Sequence, residues 1–375
     1  MKVAFDAKRA LCNTTGLGNY SRYVINNLVD VYPDNEYVLY TPRQKRELSL
    51  RIVPSPAISF CYPENFPWYT VPSLWRSYGI PLSLQREKIE LFHGLSNELP
   101  LNIREVDIPA VVTIHDLIFL HYPQFYSFID RKVYEYKFRQ ACLQSDRIIA
   151  VSEMTRRDIC TLFRIPENKI EVVHQGCDSI FFRTVTQEER QSLRNKYNLS
   201  APYILFVGSI EERKNLLLVI QALENIREDI QLVAIGRQTS YLKRIQAYLR
   251  PRSKLASRVR LLHHVPNTDL PAFYQSAELF LYPSFFEGFG IPVLEALASN
   301  TPVIAATGSC LEEAGGGGSL YTDPANPEEL ASLIRAVLTQ PALARTMREM
   351  GRAHVTRFSS QRLIGKLFSL YQHLI

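Results

Sequence analysis

The strongest constraint on this chain is a rhythm: short apolar runs of strand length alternate with helical segments, and the series is written twice. In the second half the runs Tyr203–Val207, Gln231–Ile235, Val259–Leu262, Leu279–Tyr282 and Pro302–Ala305 alternate with helical stretches. These lie near Leu216–Ile226, Ser240–Leu249, Leu270–Gln275, Pro292–Ala298 and Pro327–Leu338. In the first half strands are read at Lys2–Asp6, Val38–Tyr40, Pro109–Ile114, Arg147–Val151 and Ile170–Val173. Helices are read over Ser21–Val31, Phe128–Leu143 (amphipathic) and Glu153–Phe163. Such repeated alternation gives a parallel sheet covered on both faces. A chain of 375 residues exceeds one ordinary core, so the α/β series is read as two Rossmann-like domains.

Within that rhythm one stretch carries chemistry. Strand Ala277–Tyr282 stops at Pro283-Ser284; a loop, Glu287-Gly288-Phe289-Gly290, follows, and Pro292 opens a helix with Glu295 expected in its first turn. Free N–H groups at a glycine-flanked helix start suit phosphate. A carboxylate cannot ligate phosphate without a metal, but it accepts two hydrogen bonds from a vicinal diol. Each glutamate alone has a plain reading, Glu295 as a complement to the helix dipole and Glu287 as a solvated loop residue. Two carboxylates on one glycine loop at a strand's carboxyl end favour a sugar or ribose partner.

A second feature points to the same ligand. Gly208-Ser209-Ile210-Glu211-Glu212-Arg213-Lys214-Asn215 ends one strand and opens a helix. Adjacent cations at a helix N-terminus oppose the dipole unless an anion lies among them, and a diphosphate would supply it. The alternative is that both are solvated and screened.

The two glutamates, with seven residues between them, resemble the paired-glutamate signature of family 4 glycosyltransferases, retaining enzymes of the two-domain GT-B fold. The resemblance continues in Thr301–Ala305, Gly308–Gly315, Asp323-Pro324 and Gly208–Asn215, and in the first half through Thr113–Leu117 and Val151–Arg156. It implies two Rossmann-like domains facing each other across a deep cleft. The expected boundaries are 1–180 for the acceptor side and 181–358 for the donor side, with helix 359–375 packing back on the first domain. It also implies a metal-independent transfer without cofactor. Arg213 and Lys214 would hold the donor diphosphate; Ser209 stands where many relatives have Arg, so Arg213 is read as carrying both duties. Glu287, Gly288, Phe289 and Gly290 would border the donor, and Glu295 would bind the ribose. His115, at the end of Pro109–Ile114, would approach the transferred sugar, with Asp116 orienting the imidazole or holding the loop. Gly16 and Gly18 match a glycine loop beside the donor, although a tight turn explains them equally. Ser152 reads as a helix cap. Gln175-Gly176 stands where the family usually has Asn-Gly.

Segments His93–Pro100 and Thr113–Leu117 look closest to the mannosyltransferase-like branch, which builds surface polysaccharide. GDP-mannose is therefore the first donor expected and a UDP-hexose the second. The acceptor is read as a saccharide or lipid-linked saccharide. The Pro- and aromatic-rich region Phe60–Ile80 (Phe66, Trp68, Tyr69, Trp75, Tyr78) is open to three readings: an acceptor face, a peripheral membrane contact, or ordinary packing.

Composition narrows the other classes. The net charge of +6 is dispersed, and no nucleic-acid motif is present. The six cysteines lie apart with no C-x-x-C, as expected of thiols in a reducing compartment. Strand Lys2–Asp6 starts at once, leaving no room for a signal peptide, and no apolar run approaches the ~20 residues of a membrane span. The expected location is cytoplasmic, with peripheral contact on the inner membrane face as an option. A dehydrogenase would need a complete dinucleotide fingerprint with a downstream acid, and neither half has both. A sugar-nucleotide hydrolase, epimerase or phosphorylase on the same fold is the alternative enzyme. A non-catalytic sugar-binding protein is the alternative outside catalysis.

Overall fold

The computed structural model describes residues 1–43, 45–63, 68–226 and 229–375. The chain divides into two compact units, Met1–Gly176 with Ser359–Ile375, and Cys177–Phe358.

In the first unit seven described strands form one parallel sheet. They are β1 (Lys2–Asp6), β2 (Glu36–Tyr40), β3 (Ile58–Cys61), β4 (Leu91–Gly94), β5 (Ala110–Ile114), β6 (Arg147–Ala150) and β7 (Ile170–Val172), in the order β3-β2-β1-β4-β5-β6-β7. Strand β5 is buried along its whole length, as its unbroken apolar run requires of a strand covered on both faces. Apolar clusters lie on either side of the sheet, one around Phe92, Val112 and Ile148, the other around Phe5, Leu91 and Val111.

Helix Ser360–Gln372 belongs to this unit. It gives Ile364, Leu367, Phe368 and Tyr371 to the cluster that also holds Val24, Ile25 and Leu28 of helix Gly16–Val31. Phe368 stacks on Tyr32 with centroids 3.6 Å apart. Tyr23 Oη donates to Ser360 Oγ at 3.0 Å.

One local expectation is corrected here, and two regions gain detail. Helix Gly16–Val31 starts five residues before the expected Ser21, so Gly16 and Gly18 lie in its first turn and not in a loop before it. Gly18 is required by close approach, because a Cβ there would lie 2.1 Å from the Asn13 carbonyl oxygen. The Pro- and aromatic-rich region Phe60–Ile80 contains helical turns over Pro72–Leu74 and Trp75–Gly79 that run into helix Ile80–Arg86. Its π-type turn at Trp75–Gly79 breaks the ordinary spacing and turns Trp75 into the core, stacked on Tyr40 at 6.2 Å. Tyr69 and Tyr78 are exposed, and Phe66 lies outside the described residues. Helix Phe128–Gln144 buries Phe138, Ala141 and Cys142 and packs Tyr134 against the same core, whereas Phe128, Ile129, Val133 and Tyr136 of its first half are exposed.

In the second unit six described strands form another parallel sheet. They are β8 (Tyr203–Val207), β9 (Gln231–Ile235), β10 (Val259–Leu262), β11 (Leu279–Tyr282), β12 (Val303–Ala306) and β13 (Leu320–Thr322), ordered β10-β9-β8-β11-β12-β13. The strand order reverses between β8 and β11, which pair through Leu279 and Phe280 with Ile204 and Leu205. A doubly wound sheet opens its crevice at such a reversal, beyond the carboxyl ends of the two strands. None of the six cysteines, all among the described residues, is joined to another in a disulfide.

Candidate active site

The reversal in the second sheet brings together residues far apart in sequence. The loop after β8 carries Glu211, Arg213, Lys214 and Asn215; the loop after β11 carries Pro283 to Gly290. Asn215 binds them to each other: its backbone is left-handed (φ 58), and its Nδ2 donates to the carbonyls of Pro283 at 3.2 Å and Pro324 at 2.7 Å. The Phe285 N–H donates to the Arg213 carbonyl at 2.9 Å.

On this frame Glu287 receives both cations. Arg213 Nη1 lies 2.7 Å from Oε2 and Lys214 Nζ lies 3.1 Å from Oε1. Arg213 also donates to the Phe286 carbonyl and pairs with Glu211 at 2.8 Å. Lys214 Nζ donates further to Tyr282 Oη, the last residue of β11, whose ring lies beneath the ammonium at 4.7 Å. Burial opposes ionisation of Glu287, but Arg213 and then Lys214 outweigh it and hold the carboxyl down at about 2. Desolvation moves Lys214 the other way, lowering its pKa, with Glu287 in partial opposition. Glu287 is therefore a carboxylate at neutral pH that balances two cations.

Helix Ile291–Ala298 begins at Gly290 (φ 119), with Pro292 in its first turn and no side-chain cap. The φ of 119 at Gly290 is one that other residues rarely adopt, so backbone conformation selects glycine there. Glu295 is the fifth residue of this helix, outside the first turn where it was expected, and dipole complementation does not explain it. Its Oε2 accepts from Tyr274 Oη at 2.9 Å. Burial pushes the Glu295 carboxyl up to about 7, opposed by the Tyr274 hydrogen bond. The Phe289 ring is buried, its centroid 5.5 Å from that of Phe358, so a donor contact from this residue would be through its backbone.

In the first unit His115 follows β5 and is 4% exposed. Its ring Nε2 lies 2.9 Å from the Leu95 carbonyl oxygen, an acceptor only, so Nε2 carries the proton. Nδ1 then accepts from Gln175 Nε2 at 2.9 Å. Desolvation lowers the His115 pKa to about 4, the Leu95 hydrogen bond opposing it, which keeps the ring neutral. The Tyr20 ring meets it edge-on at 4.7 Å. Behind it runs a buried chain: Tyr20 Oη to Thr113 Oγ1 (3.3 Å), Thr113 Oγ1 to His93 Nε2 (2.8 Å), and His93 Nδ1 to Tyr371 Oη (2.5 Å). Asp116 holds the loop, accepting from the Ile118 N–H at 3.2 Å; the imidazole is oriented by Leu95 and Gln175. Ser152 caps helix Glu153–Phe163 through the Thr155 N–H, and Thr155 Oγ1 donates to the His115 carbonyl at 3.2 Å.

The structure thus groups Arg213, Lys214 and Glu287 closely and holds Glu295 on Tyr274. His115, Gly16 and Gly18 lie in the other unit. Sequence reasoning passed over Tyr282, Tyr274, Asn215 and Gln175. The first two look like strand and helix core, and Gln175 was set aside because it departs from the family's Asn. Position was the available signal, since Tyr282 and Gln175 both stand where the chain leaves the carboxyl end of a strand. Among the described residues no group of three or more His, Cys, Asp or Glu is arranged to hold a metal ion.

Two family models match, "Glycosyltransferase Family 4" over residues 14–180 and "Glycosyl transferases group 1" over residues 187–354. The architecture is that of the GT-B glycosyltransferases, α/β with two Rossmann-like domains. The chain belongs to glycosyltransferase family 4. It is 28% identical over 297 residues to O-antigen chain mannosyltransferase B of Escherichia coli, covering 78% of this chain and 76% of that one. It is 26% identical over 274 residues to O-antigen chain mannosyltransferase RfbU of Salmonella typhimurium, covering 73% and 71%. The crystal structure of Anabaena HepE in complex with UDP and glucose superposes with a TM-score of 0.80 over 100% of both chains at 17% identity, a likeness of fold.

Proposed function

We propose that this enzyme transfers mannose, with retention of anomeric configuration and without a metal, from GDP-mannose to a saccharide or lipid-linked saccharide in surface polysaccharide synthesis. A UDP-hexose is the second donor. The observation that carries the reading is the Arg213–Glu287–Lys214 group at the strand reversal, beside a helix start with uncapped amides. The mannosyltransferase names of the relatives support the choice of sugar.

Arg213 and Lys214 would bind the diphosphate and offset charge as the phosphate leaves, with the amides after Glu287 adding fixed dipoles. Both cations keep donors beyond those given to Glu287: the ammonium has three and the guanidinium five. Glu295, on a rigid helix and anchored at one oxygen, would accept the ribose hydroxyls. Glu287 would hold a hydroxyl of the transferred sugar, and His115 would orient that sugar. The acceptor hydroxyl would attack from the leaving-group side, its proton passing to the departing phosphate. Contact with the inner membrane face would be peripheral.

The test is a thermal-shift screen of nucleotide sugars followed by product analysis with the best donor. A ligand at a hundred times its dissociation constant adds about 2.7 kcal/mol. GDP-mannose should shift the melting temperature most, with mannose appearing on the acceptor and not free in solution. Shifts with UDP-sugars alone would overturn the donor, and free mannose released without acceptor would overturn the transfer.

A further inference from the structure

Two neighbouring helical segments of the first unit turn large apolar side chains to solvent. On helix Phe128–Gln144 these are Phe128 (68% exposed), Ile129 (74%), Val133 (44%) and Tyr136 (57%), one connected face by their spacing. On the segment leading into helix Ile80–Arg86 they are Leu74 (48%), Tyr78 (44%) and Leu82 (63%), each four residues on from the last.

The loop Glu98–Asn102 joins the two segments. Leu101 lines the shallow depression over Phe128, Val133 and Tyr136, while its N–H donates to the Ser77 carbonyl at 2.8 Å. Asn102 Nδ2 donates to the Tyr78 carbonyl at 3.1 Å. Glu98 spans the gap, with Arg76 at 2.9 Å on one side and Lys137 at 3.2 Å on the other. The loop thus ties the two exposed apolar stripes to one base. Solitary exposed apolar residues are ordinary; two adjoining helical stripes are not.

Charge selects what covers the patch. Helix Phe128–Gln144 carries Arg131, Lys132, Lys137 and Arg139 against Asp130 and Glu135. Arg86 and Lys88 of the other segment are matched by Glu87 and Glu90. On the helix Lys132 pairs with Glu135 at 3.1 Å and Lys137 with Glu98 at 3.2 Å, so the excess positive charge lies on the helix, at Arg131 and Arg139. The Arg131 guanidinium lies 5.9 Å from the centroid of the Phe128 ring. Tyr78 and Tyr136 add side chains with an apolar body and a polar tip, suited to an interface between lipid and water. A second copy of this chain on a twofold axis would set cation-rich faces against each other. Anionic headgroups meet both the charge and the apolar face. Among the described residues no helix is long and apolar enough to cross a membrane, so such contact would be interfacial.

We infer that this two-helix patch docks the first unit on an anionic lipid surface, with Phe128, Ile129 and Val133 entering the headgroup boundary and Arg131 and Lys132 on the phosphates. This deepens the peripheral contact of the proposed function by placing it at residues outside the donor site. It does not depend on the donor's identity.

Vesicle flotation of the full chain tests it. Vesicles of phosphatidylglycerol and phosphatidylethanolamine should carry the protein at low salt; phosphatidylcholine vesicles should not, and added salt should release it. The Ile129→Glu/Val133→Glu variant should bind at least about tenfold more weakly, with melting temperature and nucleoside diphosphate affinity unchanged because both positions are exposed. Arg131→Glu/Lys132→Glu should lose the preference for anionic lipid without touching the apolar residues. Failure of the wild type to float, or equal binding by both variants, would overturn the inference. So would a wild-type dimer in light scattering that Ile129→Glu/Val133→Glu converts to monomer. A failed donor assignment would appear only in the nucleotide measurements.

Discussion

Gln175 Nε2 donates to Nδ1 of His115 at 2.9 Å, sixty residues on from it in sequence and at the last turn of chain before the first unit ends. The ring's other nitrogen is spent on the Leu95 carbonyl, so both faces of its hydrogen-bonding capacity are assigned. His115 thus cannot gain a proton without losing the Gln175 contact, in keeping with its lowered pKa.

Removing that restraint should affect turnover before binding. Gln175→Leu should reduce kcat roughly tenfold, the worth of one hydrogen bond in a buried site, with nucleoside diphosphate affinity within a factor of two. His115→Ala should lower kcat further while leaving the same affinity intact. Steady-state kinetics paired with calorimetry separate the two quantities; equal losses in both would make the histidine structural.

Lys214→Ala should weaken nucleoside diphosphate binding by about 1.5–3 kcal/mol, roughly 10- to 150-fold, because a charge-assisted contact in a half-dry site is lost. Calorimetric titration measures it. Unchanged affinity would remove the diphosphate from this loop.

Glu287→Gln should act in the opposite sense on the two readouts. Without ligand the variant leaves Arg213 and Lys214 poorly compensated, and the second unit should lose about 3 kcal/mol of stability. Nucleoside diphosphate supplies the missing negative charge, so its stabilising shift should exceed that of the wild type even as transfer activity falls. The acid sensitivity of the wild type follows from the same contact. A carboxyl lowered from 4.5 to about 2 contributes stability that is complete above pH 4.5 and is lost as pH falls towards 2. Scanning calorimetry from pH 2 to 6 should show this loss, absent in Glu287→Gln.

Glu295 predicts a neutral-range pH effect. Its carboxyl is raised from 4.5 to about 7, so the folded protein is favoured with this group neutral, and that contribution is lost as pH rises from 4.5 through 7. Binding a ribose diol needs the carboxylate, which accepts two hydrogen bonds where the acid accepts one. Between pH 6 and 8 the wild type should therefore gain nucleoside affinity as its unliganded melting temperature drops, and Glu295→Gln should lack both trends. Nucleoside without phosphate is the probe, since the diphosphate has its own titration.

The alternation of strands and helices was legible because β5 and β11 are buried on both faces and so carry unbroken apolar runs. The Glu287–Gly290 loop was legible because the backbone at Gly290 takes a positive φ that favours glycine. Less could be read where geometry is long-range. The Lys214–Glu287 contact joins residues 73 apart, and only the reversed strand order makes them neighbours. Gly16 and Gly18 suggested a loop because glycine weakens helices, yet the Asn13 carbonyl leaves no room for a side chain at position 18. The aromatic region resisted reading because a π-type turn displaces its helical spacing by one residue.

Helix Ser360–Gln372 completes the core of the unit that opens the chain, and Tyr371 satisfies the inner nitrogen of His93. During synthesis on the ribosome this helix emerges only after residues 177–358, the whole of the second unit. The half translated first is therefore the half finished last. A nascent chain that pauses before Ser359 leaves the apolar face of helix Gly16–Val31 without its cover, while the second unit already has all of its own sequence.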